Sequence, residues 1–148
     1  MQIVNEVLKS LGQDELAYNR RFKMNPNFSG HTFVEFAFDY RDSRSIPLLF
    51  DFEGGGLRID IDGIPEAVVF SNKKIEDNKS RIVEFLTELF TSYITMDKVN
   101  GFFKTTRMSL SNRHGEIIGI HHLRGFWCER LFFKQVTCNY LPCFDMPK

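Results

Sequence analysis

A single amphipathic helical stripe sits between two blocks of strand-like alternation, and this order restricts the fold more than any other feature of the chain. Ile82, Phe85, Leu86, Leu89, Phe90 and Tyr93 recur at helical spacing, with Glu84, Thr87 and Glu88 on the opposite side. Before the stripe, Leu57-Arg-Ile-Asp-Ile-Asp62 alternates cleanly, so Leu57, Ile59 and Ile61 face inward and Arg58, Asp60 and Asp62 face outward. His31–Tyr40, Ile46–Phe52 and Ala67–Phe70 are further strand candidates, with Pro47 confined to a strand start or an edge. After the stripe, Phe102–Leu110, Glu116–Leu123 and Phe126–Cys138 resume the strand pattern, and Asn112–Gly115 suits a hairpin. Ile3, Val4, Val7, Leu8 and Leu11 form a short opening helix stopped by Gly12. Residues 13–30 read as a loop.

Strands, one long helix and more strands predict an α+β fold. The expectation is one mainly antiparallel sheet of about five to seven strands, packed against a helix over roughly residues 73 to 94. Ser71 or Asn72 is the candidate N-cap. The length of 148 residues fits one domain spanning 1–148, able to bury roughly 70% of its unfolded surface without disulfides or metal. Sixteen Phe against four Tyr and one Trp predict a bulky core, or else an exposed aromatic contact patch.

The net charge is zero, which gives the whole chain no electrostatic footprint for nucleic acid. The charge is unevenly spread. Residues 97–148 carry eight Lys and Arg against four Asp and Glu, so the first 96 residues hold the compensating excess of acid. MQIVNEVLKSL lacks the basic and apolar regions of a signal peptide, and no apolar run is long enough to cross a membrane. Three cysteines, Cys128, Cys138 and Cys143, then predict reduced thiols in a cytoplasmic protein.

The motifs argue against several chemistries. His114, His121, His122 and the cysteines are zinc-type ligands, but adjacent strand residues point to opposite faces and no Cys-x-x-Cys is present. No metal or other cofactor is expected. Gly54-Gly55-Gly56 lacks the Lys-Ser/Thr of a phosphate loop and reads as a hairpin tip. Arg124-Gly-Phe-Trp-Cys-Glu-Arg130 mixes basic and aromatic residues without a nucleic-acid motif, and Trp127 reads as a core or partner anchor.

The sharpest polar feature is acidic. Between residues 51 and 66, Asp51, Glu53, Asp60, Asp62 and Glu66 face a single base, Arg58. Three readings apply to it: a solvated face, a cation or acid–base site, and a patch complementary to a basic partner. Spacing groups no nucleophile, base and orienter, so the partner reading is preferred over an enzyme. In overall type the chain resembles the small bacterial immunity proteins of polymorphic toxin and contact-dependent growth inhibition systems. The resemblance spans the whole chain as one small near-neutral domain with an acidic hairpin, and it rests on no motif. It implies tight binding to a cognate toxin, often a basic nuclease domain, by charge complementarity and occlusion, with Asp51, Glu53, Asp60, Asp62 and Glu66 as contacts. The rival expectation is a small-molecule binder or enzyme with a Phe-lined pocket, whose polar groups would be His121, His122 and Arg124.

Overall fold

The computed structural model describes residues 1–26, 31–36, 45–100, 104–125 and 134–144. The α+β class holds, but the strands form two antiparallel sheets rather than one. The first contains β1 (Phe22–Pro26), β2 (Thr32–Phe36), β3 (Leu48–Phe52), β4 (Leu57–Ile61) and β5 (Ile64–Phe70), side by side in chain order. The second contains β6 (Tyr93–Asn100), β7 (Lys104–Ser111), β8 (Ile117–Gly125) and β9 (Lys134–Tyr140), in the spatial order β8-β7-β6-β9. Three helices accompany them among the described residues: α1 (Gln2–Ser10), α2 (Asn72–Asp77) and α3 (Lys79–Thr91).

Two strands fall where none was expected. β1 lies inside the supposed loop, because only Phe22 and Met24 mark its apolar side within a run of Lys, Asn and Pro. β6 begins at Tyr93, a residue that the helical stripe had claimed. The helix ends at Thr91, and Ser92 adopts an extended conformation with ψ 155°. The sequence Thr91-Ser-Tyr-Ile-Thr95 favours that switch, since β-branched and aromatic residues suit a pleated strand.

The expected continuous helix is also two helices. Ser71 caps α2, its hydroxyl accepting from the Lys74 N–H at 3.3 Å. The chain then leaves helical geometry at Asn78, with φ −130° and ψ 31°. No residue of α2 is fully buried and only Ile75 of it packs against the core, so little there holds Asp77 and Asn78, both weak helix formers, in line with α3. The stripe of α3 does bury Ile82, Leu86, Leu89 and Phe90. At the start of the chain, α1 buries Ile3, Val4, Val7 and Leu8 as its spacing implies. Gly12 closes it at φ 68°, a conformation that most side chains resist.

One hydrophobic cluster draws on α1, α3 and both sheets. At its centre the Phe90 ring lies 5.9 Å from Phe50, 6.2 Å from Phe22 and 5.6 Å from Phe144. The Phe144 N–H donates to the Phe90 carbonyl at 2.9 Å, which satisfies a group that the end of a helix leaves open. Arg21 spreads its guanidinium over the rings of Phe36 and Phe144 and donates to the Cys143 carbonyl. Cys143 itself is buried, and that burial pushes its thiol up to about 12. No described Phe is among the exposed large apolar residues, and most of the rings supply core, with Phe33 instead on the outer side of β2.

Phe90→Ala should destabilise the fold by about 3–5 kcal/mol. Tyr18→Ala, at a side chain 78% exposed, should stay within about 0.5 kcal/mol. Urea denaturation of the two variants compares them directly.

Candidate functional site

The outward face of the first sheet assembles most of the acidic residues. Strand register aligns Phe33, Asp51, Arg58 and Val69 across β2 to β5, and places Glu35, Leu49 and Asp60 in the next row. Alternation along β3 and β4 keeps Leu48, Phe50, Leu57 and Ile59 inside, so the acids have only the outer side.

On that face the charges are interlocked. His31 sits between two carboxylates, with Nδ1 3.1 Å from Asp51 and Nε2 3.2 Å from Glu53. Its ring also stacks on Phe33. Arg58 bridges Glu53 to a third carboxylate, at 2.8 Å from Glu53 and 3.2 Å from Glu66. Asp60 accepts from the backbone N–H of Glu66 at 2.7 Å. That bond accompanies the register slip between Ile59 and Ile61 and the left-handed Glu66, at φ 48°. Three carboxylates thus share one guanidinium and one imidazole, a backbone N–H holds the fourth, and the four acids outnumber the two basic groups set among them.

Asp62 stands apart from the other four. The expectation that it points to solvent beside Asp60 does not hold. Asp62 and Gly63, at φ 52° and 72°, form the two-residue turn between β4 and β5, a position suited to an Asp-Gly pair. The turn swings the Asp62 side chain towards the second sheet, where it is 11% exposed and its Oδ2 lies 2.5 Å from the Lys98 ammonium. This contact is an ion pair rather than a well-angled hydrogen bond. Tyr140 of β9 lies against the same carboxylate. Burial, and then Asp62, push its phenol well above the ordinary tyrosine range.

The groups of the rival pocket do not converge. His121 lies opposite Met108 on the core side of β8 and meets Phe85 edge-on at 5.2 Å. Burial lowers its pKa from the ordinary 6.5. His122, opposite Arg107, is exposed on the other face. The Arg124 side chain, Trp127 and Cys128 lie outside the described residues. Beside His121, Glu88 is pushed up by burial and then by Glu84. Both groups lie close to Gly119, where an added Cβ would stand at ordinary contact distance, 3.6 Å from His121 Nε2 and 3.7 Å from Glu88 Oε2.

The Gly54–Gly56 tip is a hairpin turn. The Gly56 N–H donates to the Glu53 carbonyl at 2.7 Å, and Gly55 packs so closely on Asn72 that a Cβ would stand 3.1 Å from it. A groove of about 250 Å³ beside the tip is lined by Glu53, Arg58, Val69 and Asn72, and so joins the acidic face. Among the described residues no group of three or more His, Cys, Asp or Glu is arranged to hold a metal ion. No described helix is long and apolar enough to cross a membrane.

His31, Lys98 and Tyr140 were not legible as site residues. His31 meets its acids through strand pairing, Lys98 and Tyr140 meet Asp62 only where one sheet packs near the other, and the one local signal, alternation of His31 with Phe33, names a face without a partner. Compared with known proteins, the chain matches no family model, no curated protein and no solved structure.

Asp62→Ala should cost roughly 1–3 kcal/mol, because it strands the Lys98 charge in a largely buried place. Adding Lys98→Ala should recover part of that loss. A double-mutant cycle by chemical denaturation reads the coupling.

Proposed function

We propose that this protein acts by binding rather than by catalysis. Its partner is a basic protein domain, and its binding surface is the outer face of β3 to β5, through Asp51, Glu53, Asp60 and Glu66. The observation that carries the reading is the set of four carboxylates on one face with a single guanidinium and a single imidazole among them, three held by those groups and Asp60 by a backbone N–H, which leaves acid in excess. Arg58, His31 and, for Asp60, the Glu66 N–H hold these acids in place, so a partner's Lys or Arg meets oriented acceptors and less side-chain entropy is lost on binding. Such a face speeds encounter with a cationic surface and fixes its register. With Asp62 turned inward to Lys98, the contact set is the other four acids.

The role we assign is that of an immunity protein. It neutralises a cognate bacterial toxin, a basic nuclease domain, by covering its active site, as the resemblance in overall type implies. The partner to test is the product of the gene immediately upstream.

Glu53 and Glu66 are exposed, so Glu53→Lys with Glu66→Lys should leave the circular dichroism spectrum unchanged. Association with the partner should slow about tenfold or more at low salt, and the difference should shrink as salt is raised. Surface plasmon resonance across a salt series measures both. Equal association rates for the double reversal and the parent protein would remove this face from the interface. A neighbouring gene product that does not bind the parent protein would remove the immunity role.

A further inference from the structure

Seven large apolar side chains are exposed among the described residues, and four of them share one patch on the second sheet. Ile117, Ile118 and Ile120 are 59%, 47% and 45% exposed, and all lie on β8. Tyr93, 40% exposed, falls in the same cross-strand row as Ile117, with Ser111 between them. A regular strand would send Ile117 to the opposite side from Ile118. Here the register slips after Leu110, which pairs with Gly119, while Ser111 pairs with Ile117. Ile118 is therefore the extra residue of a bulge, and the bulge brings three isoleucines out together.

The charges around the patch are arranged for self-recognition. Glu116 flanks the isoleucines at one end. It accepts from the Asn112 amide but has no ion pair among the described residues. Arg107 and His122 face each other across β7 and β8 at the other end, and Arg107 is likewise without an ion pair among the described residues. A two-fold axis through Gly119 would lay one β8 antiparallel over another. Ile118 would then meet Ile120 of the second copy, and Glu116 would meet its His122 and Arg107. This is the isologous pattern in which one patch is its own complement. The zero net charge of the chain adds no long-range repulsion between copies.

From this arrangement we infer that the outer face of β8 is a contact between two copies of this chain, with Ile118 and Ile120 at its centre and Glu116 paired to Arg107 and His122 across the axis. A closed two-fold contact also shields an isoleucine strip that would otherwise invite open-ended association. The inference is independent of the acidic face, which lies on the other sheet.

Sedimentation equilibrium of the full chain over about 5–500 µM tests it. The parent protein should show a monomer–dimer equilibrium within that range. Ile118→Asp with Ile120→Asp should sediment as monomer with an unchanged circular dichroism spectrum. Glu116→Arg alone and Arg107→Glu alone should each weaken the dimer about tenfold, and their combination should restore it. A parent protein that is monomeric throughout would overturn the inference. A dimer that survives the two aspartates, or one that the combined reversal fails to restore, would overturn it as well.

Discussion

The packing of Phe90 against rings from three other parts of the chain is the contact on which the remaining structure depends. Phe22 and Phe50 belong to the first sheet, and Phe144 follows the last strand of the second. The helix carrying Phe90 leads directly into β6, so its position also places the second sheet. Phe brings area without a polar tip, and it can fill such a junction without leaving an unmet hydrogen bond. The Phe90 carbonyl, which the helix end leaves open, is met by the Phe144 N–H.

With the core so arranged, the five acids between residues 51 and 66 divide by backbone geometry. Asp51, Glu53, Asp60 and Glu66 share the outer side of the first sheet. Asp62 belongs to a left-handed turn that hands its carboxylate to Lys98 in the second sheet. Composition makes these residues equivalent, but the fold gives them different surroundings. Arg58 partners Glu53 and Glu66, whereas among the described residues the basic half of the chain, through Lys98, reaches only Asp62 of the five.

Much of the local order was legible in the sequence. The alternation of Leu57 to Ile61, the helical spacing of Ile82 to Phe90, the Gly12 stop and the Asn112–Gly115 hairpin all stand in the structure. Tyr93 shows where such reading stops. It continued the helical stripe in spacing, yet it opens a strand, because local preference after Thr91 outweighs periodicity. The division into two sheets depends on which strands pair, and that depends on the shared core rather than on any segment. The site has the same limit, since His31 and Lys98 gain their roles from pairings across about twenty residues and more.

The central claim is that the acids of the outer face serve a partner rather than the fold. The Arg58 pairs of Glu53 and Glu66 are exposed, and such pairs contribute little to stability, typically under about 1 kcal/mol each, while Asp51, 13% exposed, keeps an oxygen towards His31 when it becomes Asn. Neutralising the four acids as Asp51→Asn, Glu53→Gln, Asp60→Asn and Glu66→Gln, with His31, Arg58 and Asp62 kept, should therefore leave the melting temperature within about 4 °C of the parent, or raise it by relieving repulsion. Differential scanning calorimetry of the quadruple variant gives the answer. A fall of roughly 10 °C or more would mean that the acids hold the sheet together, and it would contradict the account.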